Sequence, residues 1–91
     1  MSVSRAEARQ RLMTLRGLGP KSVEWLLDAG FETPEQINEL GAAEVWRRTR
    51  YFHPELNLMG LYALQAALMD IHWRELPEDI KADLRRQVGR E

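Results

Sequence analysis

Cysteine is absent from the 91 residues of this chain. Neither disulfide bonds nor a thiolate metal site can therefore hold the fold together, and stability must come from packing. Long apolar runs are absent as well, since no stretch approaches the roughly 20 residues that cross a bilayer. The N-terminus also lacks the apolar core of a signal peptide. We therefore expect a cytoplasmic protein without membrane contact.

An excess of basic charge is missing too. The chain has 13 Lys and Arg against 14 Asp and Glu, which gives a formal net charge of −1. A dedicated DNA-binding protein usually has a basic excess or a clear basic face. Any contact with DNA must therefore come from a local arrangement of residues.

The two histidines, His53 and His72, have no partner at the spacing that metal ligands require, such as a second histidine four residues away. The carboxylates are scattered along the chain. The sequence therefore predicts no metal, no cofactor and no catalytic residue, and hence a protein that is not an enzyme.

What the sequence does have is the composition of a folded domain. It is 44% hydrophobic and 30% charged, which supports a core in one domain, residues 1–91. No segment alternates with period two for long enough to form a strand, whereas apolar residues recur at helical spacing. The sequence predicts an all-α fold, a compact bundle of about five to six helices. They run from Ser4 to about Arg16, from Pro20 to Gly30, from Pro34 to Leu40, from Ala42 to about Arg50, from Asn57 to Ile71 and from Pro77 to Val88, with a loop at Tyr51–Leu56.

Several helix starts have recognisable signals. Ser4 with Glu7, and Thr33 with Gln36, have the spacing of capping boxes. Proline at position 20 or 34 suits the first turn of a helix, where its missing N–H is not needed. Asn57 is a suitable N-cap for the Leu-rich helix that follows it.

The most informative segment is Gly17-Leu18-Gly19-Pro20-Lys21-Ser22, named here the Gly17–Ser22 segment. Two glycines in three residues indicate a turn with positive φ or a close approach of another group to the backbone. The helix that follows presents free amides and the positive end of its dipole, an arrangement that binds phosphates. Lys21 adds a charge and Ser22 a hydroxyl donor. Such a site holds phosphates without reading bases.

A second interpretation of this segment stays open. A glycine turn flanked by leucines also lets two helices cross closely, with no ligand involved. The basic cluster Arg47, Arg48 and Arg50 likewise has two interpretations. It extends a phosphate-binding track from Lys21 and Arg16, or it is a solvated helix face near a C-terminus, where cations suit the dipole.

Residues 12–31 resemble the helix-hairpin-helix motif of DNA repair and recombination proteins. The matching positions are Leu12, Leu15, Gly17, Leu18, Gly19, Pro20, Lys21, Ser22, Val23, Leu26, Ala29, Gly30 and Phe31.

The stretch from Leu15 to Leu84 is similar to the C-terminal domain of the TfoX (Sxy) family, bacterial regulators of natural competence. The family's regulators carry a separate α/β domain ahead of this one, so the resemblance implies a stand-alone helical module rather than the whole regulator. The features that match, in the family's order, are Leu18-Gly19-Pro20-Lys21-Ser22, Ala29-Gly30-Phe31 with Thr33, Leu40-Gly41-Ala42, Asn57-Leu58, Tyr62-Ala63-Leu64 with Ala66, and His72-Trp73 with Leu76.

The sequence therefore predicts a non-catalytic binding module for the phosphate backbone of DNA, without sequence specificity, or for a DNA-associated protein. The alternative is a protein–protein adaptor or a homodimerisation module without DNA contact. The predicted nucleic-acid-binding residues are Arg16, Gly17, Leu18, Gly19, Lys21, Ser22, Arg47 and Arg48.

Overall fold

Helices account for most of residues 3–90, which the computed structural model describes. Residues 1, 2 and 91 of the expected domain lie outside the described residues. The six α-helices of this part of the chain are α1 (Arg5–Leu12), α2 (Pro20–Asp28), α3 (Pro34–Leu40), α4 (Ala42–Phe52), α5 (Leu58–Leu68) and α6 (Glu78–Gln87), with a 3₁₀ turn at Trp73–Glu75. Between residues 3 and 90 there is no strand, so the predicted all-α class is confirmed.

Most of the predicted caps form. The Ser4 hydroxyl accepts the Glu7 amide at 3.1 Å, although within residues 3–90 the reciprocal bond to the Glu7 carboxylate is missing. Thr33 and Gln36 make both bonds of a capping box, and the Asn57 side chain accepts the Gly60 amide at 3.2 Å. Each cap satisfies amides that have no partner inside their own helix.

The core lies between α2, α4 and α5, with one or two buried residues contributed by each of the other helices. Its largest fully buried side chain is Trp46, of which 2% is exposed. The indole Nε1 of Trp46 donates to the backbone oxygen of Asn57 at 2.9 Å, which holds the start of α5 against α4. Other buried members are Leu12, Leu18, Val23, Leu26, Ile37, Val45, Leu61, Leu64 and Leu84.

Four predicted boundaries are wrong, the last of them by one residue. Helix α1 ends at Leu12 and not near Arg16. After Leu12 the backbone passes into tight turns, and the Thr14 hydroxyl donates a hydrogen bond to the Arg11 backbone oxygen at 2.7 Å. Residues 51 and 52 belong to α4 and not to a loop, because Pro54 restricts only the residue just before it, His53 (φ −133°).

Helix α5 ends at Leu68 and not at Ile71. Asp70 adopts a positive φ of 55°, and the Ile71 amide bonds back to the Ala66 oxygen at 3.0 Å. This closes the helix in the manner of a C-terminal capping motif. The last predicted helix begins one residue late, at Glu78, with Pro77 as its N-cap.

Candidate nucleic-acid interface

The Gly17–Ser22 segment forms the end of the link between α1 and α2 and the first turn of α2. Gly17 is exposed and has a φ of +83°, the conformation that the double glycine predicted. Gly19 is the N-cap of α2 and has ordinary extended angles, φ −83° and ψ 171°. The helix-hairpin-helix interpretation stays a prediction, because α1 stops at Leu12 and seven residues separate it from α2.

The N-terminus of α2 has no side-chain cap. Pro20 lacks an N–H, and the Val23 amide is the first to bond within the helix, to the Gly19 oxygen at 3.1 Å. The amides of Lys21 and Ser22 are therefore left without a helical partner. The first turn also has no acidic residue, so the positive end of the helix dipole stays uncompensated.

Leu18 and Ser22 anchor this segment. The Leu18 side chain is buried in the core and is not free to touch a ligand. Ser22 is half-buried and lines a small cavity of about 20 Å³ beside Leu18 and Trp25. Of the predicted residues, those with exposed surface in the segment are Gly17, Gly19 and Lys21.

Lys21 lies beside an aromatic pair. Its Nζ is 5.1 Å from the centre of the Trp25 ring, and Trp25 stacks on His53 at 4.7 Å. The Nε2 of His53 donates to the Asp28 carboxylate at 2.7 Å, which ties the loop after α4 to α2. This bond, followed by one from Arg5, lowers the pKa of Asp28.

The remaining predicted residues point elsewhere. Arg16 donates to the Asp70 oxygen at 3.2 Å, at the end of α5. Arg48 lies next to Ala29 and Gly30, at the opposite end of α2 from Lys21. The structure therefore does not join Arg47 and Arg48 with the Gly17–Ser22 segment.

Arg47 and Arg48 are moreover paired. Glu44 accepts from Arg47 at 3.0 Å and from Arg48 at 2.9 Å, and Arg47 also donates to the Gln87 oxygen. The bond from Arg48 is the main cause that lowers the pKa of Glu44. The single carboxylate of Glu44 thus offsets part of the positive charge of these two arginines within the helix.

A pairing of two other arginines was not predicted from the sequence. The guanidinium of Arg50 lies 4.8 Å from the centre of the Trp46 ring, and that of Arg90 lies 5.8 Å from the same centre. Both line a surface groove of about 390 Å³ with Pro54, Glu55, Leu56, Asn57, Leu58 and Met59. The four-residue spacing of Trp46 and Arg50 is visible in the sequence, whereas nothing there places Arg90 beside them.

An ion-pair cluster fixes α2 against α1. Arg9 bonds to Glu24 at 2.5 Å, and Arg5 contacts Glu24 at 3.1 Å and Asp28 at 2.8 Å. The bonds from Arg9 and Arg5 lower the pKa of Glu24 from 4.5 to about 2. These contacts orient the helix whose N-terminus carries the free amides.

Within residues 3–90, no group of three His, Asp or Glu side chains is placed to hold a metal ion. None of the helices described there is long and apolar enough to span a membrane. The groups that the site does offer are amides, a lysine and arginines, which bind anions by hydrogen bonds and charge.

Comparison with known proteins identifies the family of this chain. No curated protein and no solved structure matches the chain. The profile of the TfoX C-terminal domain matches residues 8–88, nearly the whole of the 91 residues. The similarity inferred from the sequence is thereby confirmed, and the chain belongs to the TfoX C-terminal domain family.

Proposed function

We propose that this chain is a non-catalytic binding module that docks on the phosphate backbone of DNA through its Gly17–Ser22 segment. Its family membership supports a regulatory role in bacterial competence or transcription. The family match does not name a partner, so the argument for DNA rests on the N-terminus of α2.

One observation carries the proposal, namely that the fold gives no reason for glycine at position 19. A Cβ built on Gly19 would meet no atom within 4 Å, so close packing of two helices does not require glycine there. Its φ of −83° suits any residue. Ser, Thr, Asp or Asn at this N-cap would cover the free amides, whereas glycine leaves them open. A bound anion would explain these features together, because it would accept hydrogen bonds from the free amides.

The first test places a carboxylate where the phosphate would bind. Gly19→Asp caps α2, so the fold keeps its stability, while the new charge occupies the amides and repels DNA. Thr33→Asp is the matched control, because it adds the same charge at the capped N-terminus of α3. We expect Gly19→Asp to weaken binding of a labelled duplex at low salt by about tenfold or more, which corresponds to about 1.4 kcal/mol. Equal affinities for the two variants would contradict the proposal.

The two lysines of the chain give a second matched pair. Lys21 lies over Trp25 and Lys81 over Tyr62, so each cation rests on an aromatic ring. Lys21→Gln is expected to weaken binding to every duplex alike, because a phosphate contact carries no base information. Lys81→Gln removes the same charge on α6 and should leave the affinity unchanged. If both variants lose the same affinity, net charge rather than the segment controls binding.

A protein partner is the second candidate, and two exposed aromatic side chains favour it. Tyr51 is 84% exposed and Phe52 53% exposed, and both line a groove with Ala29, at the C-terminal end of α2. Large aromatics are enriched where proteins meet. Sedimentation of the wild type and of a Tyr51→Ser, Phe52→Ser variant tests the homodimer form of this candidate. A dimer that the double substitution dissociates would support it, and monomers in both samples would contradict it.

A further inference from the structure

We infer that Arg50 and Arg90, which meet at Trp46, form a second phosphate-binding site, one that holds a backbone phosphate of the same DNA duplex. This inference rests on the proposed function and extends it from the Gly17–Ser22 segment to the neighbouring groove.

The charge of the two arginines is not compensated by a salt bridge within residues 3–90. Among residues 3–90 no carboxylate lies in salt-bridge contact with Arg50 or Arg90, whereas the other two arginines of α4 are paired with Glu44. Both guanidiniums lie near one ring and line one groove, and their like charges are unfavourable to each other. An oxyanion between them would relieve that repulsion, and guanidiniums match the geometry of phosphate oxygens.

The hydrogen bonds of Arg50 are also incomplete. Its Nη2 donates to the Pro54 oxygen at 3.2 Å, but its Nε is buried and has no partner among the described residues. An unpaired donor on a charged group is unfavourable. If this side chain shifted toward an oxyanion in the groove, its Nε would gain a hydrogen bond. It would lose none, because Nε has no partner now.

The groove is also continuous with the Gly17–Ser22 segment. Leu56 lines both the groove of Arg50 and Arg90 and the small cavity next to Leu18 and Ser22. Lys21 is near enough to the groove to contribute to the lowered pKa of Glu55, whose main cause is a backbone hydrogen bond. Glu55 is the carboxylate in this groove, and it contacts His53 at 3.4 Å. Lys21 and the two arginines therefore lie near the same loop, the one that contains Glu55 and Leu56.

The alternative explanation is that the two arginines only cover the indole. Cations over Trp are common, and their stems shield apolar surface. Arg74 provides the matched control, because its guanidinium lies 5.3 Å from the centre of the Trp73 ring, outside the groove. A salt bridge to Arg74 is likewise lacking among residues 3–90.

The experiment compares the salt dependence of duplex binding in the wild type, Arg90→Gln and Arg74→Gln. Each neutralised phosphate contributes about 0.9 to the slope of log K against log salt. We expect Arg90→Gln to make the slope shallower by about 0.9 and Arg74→Gln to leave it unchanged. Equal changes in both variants would overturn the inference, because they would show an effect of net charge alone.

A second readout does not depend on DNA binding. Inorganic phosphate, titrated against chloride at equal ionic strength, should shift the NMR signals of the Trp46 indole N–H and the Arg50 Nε–H. The shifts should persist in Gly19→Asp and vanish in Arg90→Gln. If phosphate and chloride act alike, the arginines only cover the ring and the inference is wrong. If Gly19→Asp retains full DNA affinity, the proposed docking segment is wrong, and the phosphate titration still decides the second site.

Discussion

Gly17 and Gly19 stand two residues apart in the same turn, yet the backbone uses them differently. Gly17 has a φ of +83°, which side chains with a Cβ rarely adopt. Gly19 has the extended conformation of an N-cap and open space around it. The first glycine serves the fold, and the second leaves the amides of α2 accessible.

Substitution by serine separates the two roles. Gly17→Ser should lower the free energy of unfolding by about 1 kcal/mol, because a left-handed conformation costs L-residues about that much. Gly19→Ser should keep or slightly raise it, because serine is a better N-cap than glycine. Urea unfolding of the two variants checks this, with circular dichroism as the signal. A loss of stability in Gly19→Ser as large as in Gly17→Ser would contradict this assignment.

The leucines of α5 differ in burial, so their substitution by alanine should destabilise the fold to different degrees. Leu64 is buried in the core, whereas Leu68 is half-buried at its edge. Leu64→Ala should destabilise the fold by about 2–5 kcal/mol, the usual effect of a cavity at a buried leucine. Leu68→Ala should destabilise it by about half as much, because part of the side chain already faces water. Chemical denaturation measures both losses of stability. Equal losses would show that Leu64 is no more central to the core than Leu68.

At the scale of elements, the ion pairs between α1 and α2 make their packing depend on pH. The pKa of Glu24 is lowered to about 2 by Arg9 and Arg5. A carboxyl with a lowered pKa stabilises the folded state above its ordinary pKa of 4.5 and loses this effect as the pH falls toward 2. The contacts are solvent-exposed, so the contribution is modest and screened by salt.

Glu24→Gln tests this dependence. The variant should melt below the wild type at pH 7, and the difference should shrink as the pH falls from 4.5 toward 2. Glu78→Gln, which removes an exposed partner of Arg85 on α6, is the control for general charge effects. A difference between wild type and Glu24→Gln that stays constant down to pH 2 would show that these ion pairs do not stabilise the fold.

Local signals in the sequence predicted most helix starts and the end of α3, whereas the predicted ends of α1, α4 and α5 are wrong. Thr33 and Asn57 cap as expected because the partner amide lies three residues away. The end of α1 depends on the Thr14 hydroxyl and on Arg16, which reaches the distant Asp70 oxygen. Such a contact between residues far apart in the chain leaves no periodic signal in a single sequence.

The candidate site shows the same difference between local contacts and contacts of residues far apart in the chain. The Gly17–Ser22 segment is continuous in sequence, and its accessible amides could be predicted from the glycines and Pro20. The pairing of Arg47 and Arg48 with Glu44 is also local, since spacings of three and four residues bring side chains together on a helix. Arg90 meets Arg50 only because α6 returns to α4, so the pair at Trp46 required the structure.

At the scale of the whole molecule, charge would limit the strength of the DNA binding that we propose. The chain has a net charge of −1, and its principal extents are 38 × 25 × 21 Å. Lys21, Arg50 and Arg90, which lack carboxylate partners within residues 3–90, lie around the loop after α4, near the uncapped N-terminus of α2. In the proposed complex such a small surface would contact few phosphates, and phosphate contacts read no bases.

The last prediction is therefore weak binding that depends shallowly on salt and hardly on sequence. With three cations in contact, log K should fall with log salt with a slope of about −3. AT-rich and GC-rich duplexes of equal length should bind alike, because base readout normally discriminates by about 1–3 kcal/mol per pair and none is made here. Fluorescence anisotropy at several salt concentrations measures both quantities. A preference of about tenfold for one duplex would show base contacts that the phosphate-binding surface does not provide.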